Sequence, residues 1–551
     1  MRSLKTLAIA AAIAGLGASA HAELQNVEVG GSIRIRANYY SFDSAYISRF
    51  NDADDLGNIE QRTRLNFKAD FTDQVSLFVE LDSYNNWGDN FRSNYFTGAD
   101  AFNGTDVELY QGYIQADEMW GTPLRARIGR QELSFGSEWL VGVNDASSAF
   151  TGLSFDALRL DYITDEFNVA AFVSVLANSP GPNDYDFDRT FRFGDLFPWS
   201  RSFADRNSAD GFMEDDTAFA GIYGSYTGLE DIVIDGYWFG LWDQDNSLPL
   251  ASLGGYAGLY GVAPGTLSEV INPGFWRIWN RPGGPNAGSF TDATTIHTLG
   301  LRGAGTWNAL DFEAEVAYQF GDVELVNRRT LLGFINWDLD SNVDYENFAA
   351  NAALGYTFDS AWTPRVGLSA AYFGGAESSA HNNNGPFNRF YNFDYQDEMS
   401  FNRLFSNYEY SEFLENTELS NALLISANLG VAPTEATAVS AYVTYFLSNE
   451  EPDYGWWWNA WNDTDDHLGW EIGLAASYNY SEDLVFRAGW AMFLAGEGFN
   501  YKSERGFPFR WRNPLNDRPG NFSALNGTRA TGFGEDGDNY HYVYAETELS
   551  F

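Results

Sequence analysis

The residues with the most chemistry to offer are arginines set two apart. Arg34 and Arg36, Arg62 and Arg64, and Arg125 and Arg127 are each separated by one residue, and Arg159 stands in a similar setting. Their neighbours are apolar: Ile33 and Ile35, Leu65 and Phe67, then Leu124, Ala126 and Ile128. In an extended chain, side chains two apart share a face. Each pair therefore presents two guanidiniums on one face of a strand whose other face is apolar. Lys68 extends the row of Arg62 and Arg64, and Arg302, Arg365 and Arg487 come singly. A guanidinium is permanently charged and carries five donors in a planar fork, which suits carboxylate or phosphate recognition. Along a passage, such a row selects anions. The competing role is structural: inward acids such as Glu80, Asp82, Glu108, Asp161, Glu313 and Glu315 would take the same arginines as ion-pair partners.

Both roles need one scaffold, a set of strands with their polar faces turned inward. The sequence supplies it as period-two runs joined by connections that alternate between very short and long. The first run is expected over Val27–Phe42, followed by Ile59–Phe71, Val75–Tyr84, Asp106–Asp117 and a fifth from Leu124. Hairpin partners then recur: Phe155–Ile163 with Phe167–Asn178, Thr217–Thr227 with Asp231–Asp243, and Thr294–Thr306 with Leu310–Gly321. Phe348–Phe358 pairs with Pro364–Gly375, Ser420–Val431 with Ala436–Ser448, and His467–Tyr480 with Leu484–Ala495. A last strand, from His541 to Phe551, has an apolar face against Tyr542, Tyr544, Glu546 and Glu548. The expected fold is all-β: a single antiparallel transmembrane β-barrel of about 18 strands with short periplasmic turns and long extracellular loops. An even strand number returns both ends to the periplasm, and a barrel this wide has room for an aqueous lumen. A soluble propeller would instead show a repeat every forty or so residues, and none is visible. No plug domain precedes the first strand.

The N-terminus sets the compartment. Arg2 and Lys5 precede an apolar stretch from Leu7 to Gly17, and Ala20-His21-Ala22 fits a small-residue cleavage site. Residues 1–22 are expected to be a secretory signal peptide cleaved near Ala22, and residues 23–551 the barrel. The 551-residue chain has no cysteine, which excludes disulfides, zinc–thiolate sites and c-type haem. No other stretch approaches the ~18 apolar residues of a membrane helix. Mean hydropathy is −0.32, but a barrel turns only alternate residues to lipid and escapes such averaging. Aromatic residues make up 17% of the chain, enough to furnish girdles at both membrane interfaces. Without Arg2 and Lys5, 30 basic residues stand against 76 acidic ones, a charge of −46. Nucleic acid is excluded as a partner on that field.

The stretch Arg127-Ile128-Gly129-Arg130-Gln131-Glu132-Leu133-Ser134-Phe135-Gly136, running on to Leu140-Val141-Gly142, resembles the hallmark motif of the alginate export family of outer-membrane proteins. Phe155-Asp156-Ala157-Leu158-Arg159-Leu160 is similar to a second family stretch, with Ala157 where the family has Gly. The late segments Gly469–Ile472 and Phe493–Glu497 also resemble it. The resemblance implies a porin-like outer-membrane channel of Gram-negative type with an arginine-rich constriction, in which Arg62, Arg64, Arg127 and Arg159 would hold carboxylates. It also implies that the barrel-assembly machinery reads the terminal strand with Phe551. Strict alternation points Arg130 to lipid, while a bulge at Gly129 would bring it inward or to the rim. Gly136 and Gly142 are expected at turns where a strand leaves the membrane.

The chain's negative charge counts against a polyuronate as cargo, although the acids gather in the expected outer loops; the expected solute is a small anionic or saccharide one. The alternative is a barrel that sheathes or scaffolds a periplasmic or extracellular complex. The acids gather in the expected outer loops, with Asp52 and Asp54 in one and Asp463 and Asp465 in another. They are candidates for structural Ca2+ next to lipopolysaccharide, but without EF-hand spacing the solvated loop is the simpler expectation. No other cofactor is expected. The run Tyr454–Trp461 could stack on sugars or anchor at the interface. No nucleophile–base pair or metal spacing is seen among the five histidines, so an enzyme is not expected. Closing the barrel would set the last strand beside the first and bring Glu546 and Glu548 to Arg34 and Arg36.

Overall fold

The computed structural model describes residues 25–42, 55–87, 107–143, 152–177, 217–243, 289–331, 335–375, 398–399, 401–412, 421–449, 466–496 and 539–551. The expected signal peptide, the acidic loop positions Asp52, Asp54, Asp463 and Asp465, and the Tyr454–Trp461 run lie outside the described residues.

The first nine barrel strands are β1 (Asn26–Phe42), β2 (Asp55–Thr72), β3 (Val75–Asn86), β4 (Glu108–Ala116), β5 (Leu124–Gln131), β6 (Phe155–Ile163), β7 (Phe167–Ala177), β8 (Thr217–Leu229) and β9 (Ile232–Asp243). The rest are β10 (Ser289–Trp307), β11 (Leu310–Leu331), β12 (Ile335–Thr357), β13 (Arg365–Phe373), β14 (Ala422–Thr434), β15 (Thr437–Ser448), β16 (His467–Asn479), β17 (Leu484–Ala495) and β18 (Asn539–Ser550). Each pairs antiparallel with its sequence neighbours, and β18 pairs with β1, so the sheet closes on itself. The short segment Glu398–Met399 lies outside this ring, parallel to Asp344–Tyr345 of β12. Closure leaves no free strand edge, the condition for crossing a lipid bilayer with strands.

Period-two patterning decides the two faces. Leu299, Leu301, Val316, Leu354, Leu368, Ile425 and Leu474 project outward, between 47% and 63% exposed, as a lipid-facing surface must. Trp238, Trp242, His297 and Phe320 cluster at the loop end of the wall. At the turn end Tyr478, Tyr480 and Phe486 form a second group, and these are the interfacial girdles. His297 is thus an interfacial aromatic.

Two features depart from the expectation. β11 and β12 pair from Leu310 with Tyr356 out to Leu331 with Ile335, whereas 322–347 reads in sequence as a loop. Past the membrane both faces of a hairpin meet water, so alternation no longer marks it as strand. The second departure is inside the barrel. Residues 132–143, after β5, and 401–412, before β14, fold into the lumen. Leu133, Trp139, Leu140, Val141, Phe401 and Phe405 are all at most 3% exposed. They pack against inward aromatics of β6 to β9: Phe155, Phe172, Phe219, Tyr223, Tyr237 and Phe239. The two segments also join each other. Val141 bridges Phe405 in parallel, and Gly142 N donates to Phe405 O at 2.9 Å while Phe405 N donates to Leu140 O at 2.9 Å. Gly136 and Gly142 therefore belong to this inward segment, not to a turn where the strand leaves the membrane. Gly136 has φ +59°, and a Cβ there would lie 2.6 Å from Tyr223 Oη. Only glycine lets the segment turn against that ring.

Candidate functional site

The lumen wall is built from the inward face of each strand, and the paired arginines of β1, β2 and β5 lie on that face with Arg159, Arg302, Arg365 and Arg487. Most are matched by carboxylates. At the seam, Glu546 of β18 is fully buried; Arg34 Nε meets its Oε2 at 2.9 Å and Arg36 Nη2 at 2.7 Å. Arg487 of β17 donates to Glu546 at 2.8 Å and to Glu548 at 2.7 Å. Register sets this up, because Glu546 is the direct partner of both Arg36 and Arg487. On β2, Arg62 is buried opposite Arg34. Arg64 donates to Asp82 at 3.0 Å, lies 3.9 Å from Glu132 and stacks on the Tyr110 ring at 3.9 Å. Lys68 sits half-exposed near the turn end, 3.5 Å from Asp70. Arg302 of β10 is held by Asp235 at 2.7 Å and Glu313 at 3.0 Å. Arg365 of β13 is bidentate on Asp311.

The remaining group lies on β4, β5 and β6. Arg125 meets Asp117 at 2.5 Å, and Arg159 holds Asp161 through Nε and Nη2 at 2.8–3.1 Å. Arg127, directly opposite Arg159 in register, has no carboxylate partner among the described residues. Its Nε and Nη2 donate to the amide oxygen of Gln115 at 3.2 and 2.9 Å. Its guanidinium lies over the Tyr113 ring at 4.4 Å, and the other neighbour of that ring is Phe78 at 5.3 Å. Three guanidiniums thus face two carboxylates here. On β4, β5 and β6 the row expected from sequence is an ion-pair lattice in which Arg127 is the exception.

The motif residues beyond Arg127 shape the exit of β5. Gly129 has φ +129°, and a Cβ there would strike the Gly112 carbonyl oxygen at 2.3 Å. Arg130 faces outward, its Nε and Nη2 each 2.9 Å from an oxygen of Asp156. Gln131 is fully buried, and its Nε2 donates to the carbonyls of Ala157 at 2.9 Å and Gly129 at 3.2 Å. These contacts tie off the backbone where β5 leaves the wall and residues 132–143 turn inward.

The second segment spans the lumen. Gln319 of β11 exchanges two hydrogen bonds with the Asn402 backbone, at 2.6 and 2.7 Å. Trp139 Nε1 donates to Tyr410 Oη at 2.8 Å, and Tyr410 donates on to Asn351 at 3.1 Å. At its far end, Glu471 of β16 accepts from Ser411 Oγ, from Glu412 N at 2.9 Å and from Tyr442 Oη at 2.6 Å. Burial, with Glu409 and Glu471 nearby and Arg36 opposing, pushes the Glu412 carboxyl up to about 8. Sequence reasoning singled out none of Tyr113, Gln115, Glu471 or Ser411. The parity of Tyr113 and Gln115 on β4 was the available signal, but neutral residues on a lumen face draw no attention.

A search of curated proteins returns no match to this chain. Among solved structures, it is similar to Acinetobacter baumannii OccAB3, at 10% identity over 95% of this chain and 100% of that one, with a TM-score of 0.47. Pseudomonas aeruginosa OccK9 (OpdG) is similar at 10% identity over 96% and 99%, with a TM-score of 0.47. Pseudomonas aeruginosa OccK11 (OpdR) is similar at 10% identity over 95% and 96%, with a TM-score of 0.46. The family model for alginate export matches residues 25–513, nearly the whole barrel, and this closed barrel is an outer-membrane channel belonging to the alginate export family.

Proposed function

We propose that the channel passes a small anionic or saccharide solute and that Arg127 is the contact that favours anions. One observation carries this: Arg127 is an inward guanidinium held by a neutral amide, while its neighbours Arg125 and Arg159 are matched by Asp117 and Asp161. In a confined lumen one unmatched charge weighs more than several matched ones, because paired charges cancel within a few ångströms. A long polyuronate is disfavoured as cargo. The chain's charge repels a polyanion, and two inward segments pack inside the lumen. Lumen space filled by the chain's own segments favours a solute path over a sheath around another protein. Delivery by the cleaved signal and assembly through the Phe551 strand complete the proposal. The test is conductance of purified protein in planar bilayers under a KCl gradient. The reversal potential should report anion preference, and Arg127→Ala should move it toward neutrality. An insulating barrel, or cation preference in the unaltered protein, would overturn the proposal.

A further inference from the structure

We infer that Gln115 sets the anion preference of this channel: it holds Arg127 with a neutral acceptor, so that the guanidinium charge stays available to a single carboxylate of the solute. This rests on the channel function proposed above and assigns its selectivity to a residue beside the arginine.

The argument is a comparison made within one pair of strands. β4 carries Gln115 and Asp117 on its inward face, and β5 carries Arg125 and Arg127. Asp117 takes Arg125 at 2.5 Å, while Gln115 takes Arg127 at 2.9 Å. The two arginines sit on the same scaffold and differ in whether the acceptor carries charge. The orientation of the Gln115 amide is fixed by the same pair of strands. Its Nε2 donates to Asp117 Oδ2 at 2.9 Å, so its oxygen must point to Arg127. The amide therefore does two things, binding Arg127 through two of its nitrogens and leaving the charge unspent. Tyr113 adds a flat support at 4.4 Å that keeps the guanidinium plane from turning. Nη1 of Arg127 has no partner among the described residues, which leaves a charged donor free for a carboxylate. Nearby carboxylates are already engaged: Asp161 by Arg159, and Glu80, Asp82 and Glu132 around Arg64. A polymer with a carboxylate on every unit would need a row of such sites. One site of this kind fits a solute with one carboxylate.

The test uses purified full-length protein in planar bilayers, with potassium chloride and potassium acetate as the probes. Gln115→Glu should lower the anion-to-cation permeability ratio as far as Arg127→Ala does, on the order of fivefold, the effect of one unit charge at contact distance in a water-filled lumen. Ser440→Asp adds the same charge on the far wall, where Ser440 is exposed to the lumen, and should change the ratio much less. Gln115→Leu should keep the anion preference but lose the acetate-over-chloride preference, because the guanidinium is no longer held. If Gln115→Glu keeps the unaltered ratio while Arg127→Ala loses it, the assignment of Gln115 is wrong and the channel function stands. If Ser440→Asp matches Gln115→Glu, only total lumen charge matters and the assignment also fails. Gln115→Leu indistinguishable from the unaltered protein would overturn the positioning role. A barrel that conducts nothing sinks the channel function itself.

Discussion

Arg130 faces away from the lumen, yet its guanidinium is fully engaged. Two of its nitrogens hold Asp156, and Nη1 reaches the Leu109 carbonyl at 3.4 Å, just past the end of the β4–β5 ladder at Gly112 and Arg130. A charged pair on the lipid side is tolerable when mutual neutralisation replaces hydration, and each member is costly alone. Asp156→Ala should therefore destabilise the barrel by about 2 kcal/mol, and the double change Arg130→Leu with Asp156→Leu by less. Urea unfolding in liposomes measures both; equal losses would mean the pair contributes packing, not charge compensation. The sequence left Arg130 between the lipid side and an inward or rim position, and left its partner open. Parity fixes which side a residue faces, and only the register of β5 on β6 selects Asp156.

At the scale of elements, the two inward segments carry the consequences. Phe405 lies against Phe219 at 4.8 Å and Phe155 at 5.1 Å, and is 3% exposed. Truncating it to alanine removes one of the contacts that seat residues 401–412 in the lumen, a loss of ~3–5 kcal/mol for a buried Phe. The expected result is a barrel that still assembles but conducts more, read as single-channel conductance. Unchanged conductance would mean the segment does not narrow the path. The tip of the same segment depends on pH. Glu412 is held near 8 in the folded protein against an ordinary 4.5, so the folded segment keeps a proton that the released segment gives up. Its stabilising effect is full below 4.5, falls as pH rises, and is lost above about 8. Docking should weaken between pH 6 and pH 9, seen as greater open-channel noise at the alkaline end, and Glu412→Gln should remove the trend. A flat profile in the unaltered protein would contradict it.

For the whole molecule, closure concentrates on Glu546. One fully buried carboxylate receives Arg34, Arg36 and Arg487 from the two strands that flank β18. Glu546→Gln would leave three guanidiniums around an amide, a loss of ~3–5 kcal/mol, the usual cost of stranding a buried charge. Heat-modified migration on gels should shift to lower temperature, while Glu548→Gln, half open to the lumen, should have little effect. The sequence alone determined the strand number, the face each strand gives to lipid, and the seam between first and last strands. These follow from local periodicity and from turn length, which neighbouring residues fix by themselves. It also set the paired arginines on the strand face opposite the apolar one. The tertiary structure alone decided which of them are spent. Whether Asp117 or Gln115 meets a given arginine is a matter of which side chain the β4–β5 register brings within about 3 Å, and no spacing along the chain encodes it. The filling of the lumen was hidden for the same reason. Trp139 meets Tyr410 across 271 residues of sequence, and an apolar run that packs inside a barrel looks, residue by residue, like an ordinary loop.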